Sequence, residues 1–324
     1  MLGWLNKIKL WWQGCCSLEQ RQTQSLSTNS SASTPRARLE RIVLTDGVAR
    51  TLFDDYAEHR RSDRGDEEIG WILLGLRHEG EAIALAALPA GTQRDAGLAH
   101  IRFNTEAQAL ASRIVRQKDK RLQIVGVVHT HPGSLRCPSD GDLQGDSLWV
   151  GQLRGGEGIF GIGTADVRSQ AQKDAGGGHV QIYGEMCFSW YALGVGDRRY
   201  RPIPVQVTIG PDLALALRPL WNVIEANAAP LNKLCRQFAK VHFEVIDEEP
   251  AKLLCVKIAL AEPKQQLRLL LNECEARYYW DKGGELIAID PHEPRPDRAA
   301  YLILAELANE PAVSACGAPT LVES

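Results

Sequence analysis

The sequence lacks the features that mark several common protein classes. It has eight cysteines but no Cys-x-x-Cys pair, which leaves zinc-finger and thioredoxin-like interpretations without support. No uninterrupted apolar run approaches the ~20 residues of a membrane-spanning helix. The formal net charge is −3, so no overall basic excess favours nucleic acid as a partner. The wide, irregular cysteine spacing favours reduced thiols, and we expect a cytoplasmic protein.

The composition that remains is that of a folded protein. Hydrophobic residues make up 44% of the chain and charged residues 24%, which is ordinary for globular proteins. At about 150 residues per domain, 324 residues predict two domains plus tails. We assign residues 1–37 to an N-terminal tail, 38–200 to a first domain, 201–310 to a second, smaller α+β domain and 311–324 to a C-terminal tail.

The N-terminal tail has two parts. Residues 1–16 carry three of the eight tryptophans among leucines and lysines, a pattern that suits a short amphipathic helix. Residues 17–35 are polar and free of aromatics, which is typical of a linker. We favour a tail that docks on its own protein or a partner, or that is disordered. Membrane contact through residues 1–16 is the less favoured alternative.

The first domain reads as strands mixed with a few helices. A short strand followed by a helix is predicted over residues 40–60, and apolar strands over 68–75, 81–90 and 123–128. Asn104 is the predicted N-cap of another helix. This mixture argues for an α/β or α+β domain built around a mixed sheet.

The chemistry of the domain lies where its third apolar strand ends. That strand leads directly into His129 and His131, and side chains alternate along a strand, so both imidazoles project to one face while Thr130 faces the other way. Asp142 follows after a loop rich in proline and glycine. Two histidines and one carboxylate leave a fourth zinc position open, which is the catalytic pattern. Such an ion lowers the pKa of a bound water from 15.7 toward about 7, and a separate carboxylate should then carry protons.

At these residues the sequence closely resembles the JAMM (MPN-plus, Mov34/JAB) metalloproteases. The pattern His-x-His-x7-Ser-x2-Asp is matched without a gap by His129, His131, Ser139 and Asp142. The resemblance covers roughly residues 40–200. It implies a cytidine-deaminase-like mixed sheet with flanking helices. Asp140 is a rival to Asp142, but the spacing selects Asp142.

The family adds an upstream glutamate at the start of a strand, and here the candidate is Glu68. Gly70 lies two residues after Glu68, where many members place a glycine at three. Glu67 restores that spacing but then misplaces Gly75. We therefore favour Glu68 and leave Glu67 open.

The resemblance also implies a role for each residue. His129, His131 and Asp142 would hold Zn²⁺, Glu68 would act as general base and then general acid, and Ser139 would hydrogen-bond the developing oxyanion. Members of the family cleave after the C-terminal glycine of ubiquitin or ubiquitin-like proteins. Bacterial relatives process such proteins and work with E1-like and E2-like enzymes. The expected partners are therefore a ubiquitin-like protein or its conjugates, and E1-like or E2-like proteins.

Two other functions stay open at this point. The fold also serves as a scaffold without turnover, and the irregular glutamate context keeps that alternative alive. A DNA-associated protein like the RadC relatives shares part of the histidine–serine–aspartate signature, but the net charge of −3 counts against nucleic acid as a partner.

No functional motif is recognisable in the second domain. The pattern predicts a strand at 205–209, helices within 211–240, strands at 241–246, 251–260, 267–275, 277–280 and 285–290, and a closing helix at 298–309. We assign no role to this domain.

Overall fold

The computed structural model describes residues 37–91, 95–97, 100–165, 178–249 and 251–309. The predicted amphipathic helix at 1–16, the linker at 17–35 and the tail at 311–324 lie outside these residues. The chain divides into two compact units, with the division between Ala229 and Pro230.

The first unit is built on a mixed β-sheet whose described part has nine strands. The order across the sheet is β10-β9-β7-β6-β2-β3-β1-β11, and β8 also pairs with β9. A separate small hairpin joins β4 and β5. The strands of this unit are β1 Arg41–Thr45, β2 Gly70–His78, β3 Glu81–Pro89, β4 Asp95–Gly97, β5 His100–Arg102, β6 Gln123–Thr130, β7 Glu157–Thr164, β8 Val180–Tyr183, β9 Met186–Gly194, β10 Arg201–Pro202 and β11 Val205–Thr208.

Parallel and antiparallel pairs alternate around the centre of this sheet. β6 runs antiparallel to β2 and parallel to β7, and β7 runs antiparallel to β9. The C-terminal ends of β6 and β7 therefore open at the same edge as the N-terminal ends of β2 and β9. The predicted mixed sheet is confirmed.

Helices cover the sheet on both faces. α1 Asp46–Arg60 begins at Thr45, whose side chain accepts a hydrogen bond from the Val48 amide. α2 Thr105–Arg116 begins at Asn104, the predicted N-cap, whose side chain accepts from the Ala107 amide. The other helices are α3 Asp140–Val150, the 3₁₀ turn Leu215–Leu220, α4 Trp221–Gln237 and α5 Pro296–Asn309.

The core of the first unit has two layers, one on each sheet face. In β7, Ile159 packs with the layer under α1, and Phe160 packs with the layer under α3, because successive strand side chains point to opposite faces. The α1 layer contains Trp71, and the α3 layer contains Trp149. Both tryptophans are buried.

The second unit contains a five-stranded antiparallel sheet in simple sequence order. Its buried carboxylates are paired: Asp281 contacts Arg268, and Asp297 contacts Lys233 and Arg295. This region agrees with the predicted α+β character. The strands are β12 Val241–Glu248, β13 Ala251–Ala259, β14 Gln265–Leu271, β15 Ala276–Lys282 and β16 Glu285–Ile289.

Two of the differences from the sequence expectation have a clear physical cause. The strand predicted at 267–275 ends at Leu271, because the Asn272 side chain accepts hydrogen bonds from the amides of Cys274 and Glu275 and turns the chain. The first sheet also continues past the domain boundary drawn at residue 201, since β11 pairs in parallel with β1. None of the described helices is long and apolar enough to cross a membrane.

Substitution of Gly126 in β6 tests how closely β6 and β7 pack. A Cβ at this position would lie 2.1 Å from the Ile159 carbonyl oxygen on β7. We expect Gly126→Ala to lower the free energy of unfolding by about 1–3 kcal/mol, because the strands would have to separate. Urea denaturation measures the change. Gly151→Ala is the matched control, since its Cβ would meet nothing nearer than 3.9 Å, and an equal loss in both variants would contradict the explanation.

Because the Asp55 carboxyl on α1 is buried, we expect the free energy of unfolding to depend on pH. Burial raises the pKa of its carboxyl to about 6, although the Trp71 indole N–H and Arg218 oppose the shift. Because the native pKa exceeds the unfolded value, the native state binds more protons between about pH 4 and 6, so its stability falls as the pH rises through that window. Asp55→Asn removes this loss, and its stability relative to wild type should increase by at most about 3 kcal/mol across the window.

The measurement is chemical denaturation of both proteins at several pH values, with Asp54→Asn as an exposed neighbouring control. Parallel stability curves for wild type and Asp55→Asn from pH 4 to 7 would show that Asp55 titrates normally.

Candidate metal centre

The end of β6 presents two imidazoles on one face of the sheet. His129 lies within β6, and His131 follows it, held in extended pairing by a hydrogen bond from its amide to the Gly163 carbonyl of β7. Both histidine side chains are buried, with 10% and 8% of their surface exposed. The Nε2 atoms of the two rings are 3.1 Å apart. The alternation predicted from the sequence therefore brings both rings to one point.

Asp142 reaches the same point from the first turn of α3. The sequence predicted a loop between His131 and Asp142 and no helix after it. In the structure Ser139 is the N-cap of a helix, and Asp142 is the third residue of that helix. Asp142 Oδ2 accepts hydrogen bonds from the Ser139 amide at 2.6 Å and the Ser139 hydroxyl at 2.8 Å, and the Asp142 amide donates back to Ser139 Oγ at 3.2 Å. This is a capping box, and it fixes both the start of α3 and the direction of the carboxylate.

His129, His131 and Asp142 form a compact ligand group. Their potential ligand atoms all lie within 4.8 Å of one another. His129 Nε2 is 3.4 Å from Asp142 Oδ1, and His131 Nε2 is 3.5 Å from Asp142 Oδ2. Two nitrogens and one carboxylate oxygen are a donor set that suits Zn²⁺ with one position open. These residues therefore fit the ion that the sequence predicts.

The Nδ1 atom of His131, on the side of the ring away from Asp142, also has a hydrogen-bond partner. Its Nδ1 lies 2.7 Å from the Leu135 carbonyl oxygen, a contact in which Nδ1–H donates. This hydrogen bond leaves Nε2 unprotonated and directed at the group, which is the usual outer contact of a metal-binding histidine. The loop between the two ligand segments thus sets the tautomer of one ligand.

The charges around the ligand group shift the pKa values of Asp142 and His129. Burial alone would raise the pKa of Asp142, but the neighbouring imidazoles, His129 first, and the hydrogen bond from the Ser139 amide hold it well below its usual range. Burial alone would lower the pKa of His129, but Asp142 more than offsets this and the pKa is raised, with Glu68 adding to the rise. The Asp142 carboxylate and the His129 imidazole thus stabilise each other's charged forms.

Glu68 lies beside this group. β2 and β6 pair with Gly70 opposite His129, and Ile69 and Thr130 are joined by two hydrogen bonds, from the Thr130 amide to the Ile69 carbonyl and from the Ile69 amide to Thr130 Oγ1. Continuing this antiparallel register places Glu68 opposite His131, on the face that carries the imidazoles. The Glu68 side chain is buried.

The alternatives left open by the sequence occupy different surroundings. Glu67 is half-buried and its carboxylate is paired with Arg64, at 2.7 Å from Arg64 Nε. Asp140 is exposed on the first turn of α3 and is not among the described residues that form the ligand group. Ser139 is next to the group, with its hydroxyl hydrogen directed at Asp142.

Asp146, one helical turn beyond Asp142 on α3, was not predicted from the sequence. Burial raises the pKa of the Asp146 carboxyl to about 7, and Tyr200 opposes the shift by donating a 2.7 Å hydrogen bond to Oδ2. The four-residue spacing on one helix face could have indicated Asp146 had the helix been recognised. Nothing local in the sequence pointed to Tyr200.

Comparison with known proteins gives a family match that includes the three ligand residues. Residues 49–174 match the family model described as prokaryotic homologs of the JAB domain. The chain is also similar to protein DSY2949 from Desulfitobacterium hafniense, known from a solution structure. The identity is 15%, the match covers 52% of this chain and 94% of that one, and the TM-score is 0.35. None of the curated proteins matches the chain.

The ligand group predicts stoichiometric metal binding. The full chain, purified without chelator and supplied with Zn²⁺, should hold about one zinc per chain at this group, and His131→Ala should lose it because a ligand atom is removed. Elemental analysis after gel filtration measures the ratio. His78→Ala, whose ring is 71% exposed on β2, is the control and should retain zinc. A wild-type protein that takes up no zinc would contradict the assignment.

Proposed function

We propose, from the match of residues 49–174 to the family model of prokaryotic JAB homologs, that the protein is a zinc-dependent isopeptidase or peptidase. It would cleave after the C-terminal glycine of a ubiquitin-like protein, in precursor processing or in deconjugation. The observation that carries the proposal is the convergence of His129, His131 and Asp142 within 4.8 Å beside the buried Glu68. The substrate class is taken from the family that the sequence resembles.

The residues divide the chemistry among them. His129, His131 and Asp142 hold the ion, which when bound supplies Lewis-acid activation of water and carbonyl. Glu68 accepts a proton from the attacking water and returns it to the departing amine, so one carboxylate serves first as base and then as acid. Glu68 is buried beside the imidazoles, so its carboxylate is kept out of bulk water. In bulk water, proton transfer to this carboxylate would not be directed to the attacking water.

Ser139 is the residue that would hydrogen-bond the developing oxyanion. Its hydroxyl lies at the N-terminus of α3 and donates to Asp142 Oδ2. A rotation about its Cα–Cβ bond would redirect the same hydrogen to a carbonyl oxygen that becomes negative during attack. Cys137 lies in the loop before Ser139 and is exposed. It needs no part in this mechanism, because no enzyme nucleophile becomes bonded to the substrate.

Glu68→Gln is the variant that tests the proposal. We expect cleavage to fall by several orders of magnitude while zinc binding stays within about twofold, because glutamine keeps the size of glutamate but cannot accept the proton. The substrates are ubiquitin and a panel of bacterial ubiquitin-like proteins, each extended past its terminal glycine by a reporter peptide. Mass spectrometry identifies the cleaved bond.

Glu67→Gln is the matched control and should keep wild-type activity, since Glu67 is paired with Arg64. Loss of activity in Glu67→Gln together with full activity in Glu68→Gln would transfer the base to Glu67. A zinc-loaded wild-type protein that cleaves no member of the panel would overturn the enzymatic proposal in favour of a scaffold.

A further inference from the structure

Two tyrosine hydroxyls reach the segment that carries Asp142. The Tyr191 hydroxyl, on β9, donates a buried hydrogen bond of 2.9 Å to the Arg136 carbonyl in the loop before α3. The Tyr200 hydroxyl, just before β10, donates a hydrogen bond of 2.7 Å to Asp146 Oδ2 on α3. One contact therefore lies on each side of Asp142 along the chain.

The two rings form a single aromatic group with Phe160 of β7. Tyr191 and Tyr200 have centroids 6.3 Å apart and planes inclined at 70°, and Phe160 lies 5.4 Å from Tyr200 at 76°. These are edge-to-face contacts, which fix ring positions more firmly than burial alone. Trp149 of α3 packs edge-on against Phe160 at 5.7 Å. The group thus joins α3 to the strands β7 and β9.

The ligand geometry requires that α3 and the sheet keep a fixed separation, and this aromatic group can maintain it. His129 and His131 are set by β6, which pairs with β7, whereas Asp142 is carried by a helix that follows a loop. A ligand group works only if its two parts keep their separation. The aromatic group is attached to the sheet, and its hydroxyls hold the loop and the helix, so it links the two parts.

We propose that Tyr191 and Tyr200 are positioning residues of the metal centre, which hold the loop and α3 so that Asp142 completes the site with the two histidines. Both lie beyond residue 174, where the match to the family model ends, so that match assigns them no role. The inference concerns metal binding and does not depend on the proposed cleavage reaction.

The test deletes the hydroxyls and leaves the rings. Tyr191→Phe, Tyr200→Phe and the double variant are made in the full chain, with Tyr183→Phe as control because Tyr183 lies on β8 and is 65% exposed. Competition with a chromophoric chelator gives the Zn²⁺ dissociation constant, and the visible spectrum of the Co²⁺-loaded protein reports the coordination geometry. Thermal unfolding of the metal-free protein reports the fold.

We expect each single variant to bind Zn²⁺ about 10-fold more weakly and the double variant up to about 100-fold, the range of loss when residues that orient metal ligands are removed. The Co²⁺ bands should shift in the same variants, while Tyr183→Phe stays within twofold. Zinc affinities within twofold of wild type in all three variants, with unchanged Co²⁺ spectra, would overturn the inference.

Asp146 separates positioning from simple loss of stability. Asp146→Asn keeps an oxygen that accepts from Tyr200, whereas Asp146→Ala removes the acceptor. We therefore expect the asparagine variant to bind Zn²⁺ more tightly than the alanine variant, and Tyr200→Phe to have little further effect in the Asp146→Ala background. Equal affinities for the asparagine and alanine variants, or fully additive losses, would overturn the Tyr200 part.

The failures of the two proposals are distinguishable. A wild-type protein that binds zinc but cleaves no substrate refutes only the proposed function. Tyrosine variants that bind zinc as wild type does refute only the positioning role. A wild-type protein that binds no zinc refutes both.

Discussion

The pairing of β6 between β2 and β7 is the constraint on which the site depends. The antiparallel register with β2 sets Gly70 opposite His129, and the two hydrogen bonds between Ile69 and Thr130 continue it toward Glu68. The parallel pairing with β7 fixes the His131 backbone through Gly163. A slip of one residue would send the imidazoles to the opposite face, away from Asp142. The sheet therefore specifies three site residues through backbone hydrogen bonds and one bond to the Thr130 hydroxyl.

Asp142 is specified by a different kind of interaction. Its carboxylate closes a capping box with Ser139, so the contact that starts α3 also directs a ligand. The helix N-terminus favours negative charge, which further stabilises the ionised carboxylate. The structural and chemical roles of Ser139 and Asp142 thus coincide. This explains why Ser and Asp stand three residues apart: the spacing required by the cap is the spacing found in the motif.

Much of the site could be predicted because its information is local. Strand alternation placed His129 and His131 together, and the motif spacing selected Asp142 over Asp140. The helix α3 was missed because the glycines and prolines around it suggest a loop, although its capping box was visible in the sequence. Tyr191 and Tyr200 had no such signal, since their partners Arg136 and Asp146 are distant in sequence. The strand end at Asn272 likewise depended on a side-chain contact that hydrophobic periodicity does not encode.

The charge balance of the ligand group links its structure to its chemistry. Asp142 keeps a low pKa and raises the pKa of His129, so the ionised carboxylate and a proton on His129 stabilise each other. A divalent cation bound there takes the place of that proton, because histidine ligates only when its nitrogen is free. A carboxylate beside the group, such as Glu68, favours a cation there for the same electrostatic reason that it raises the pKa of His129.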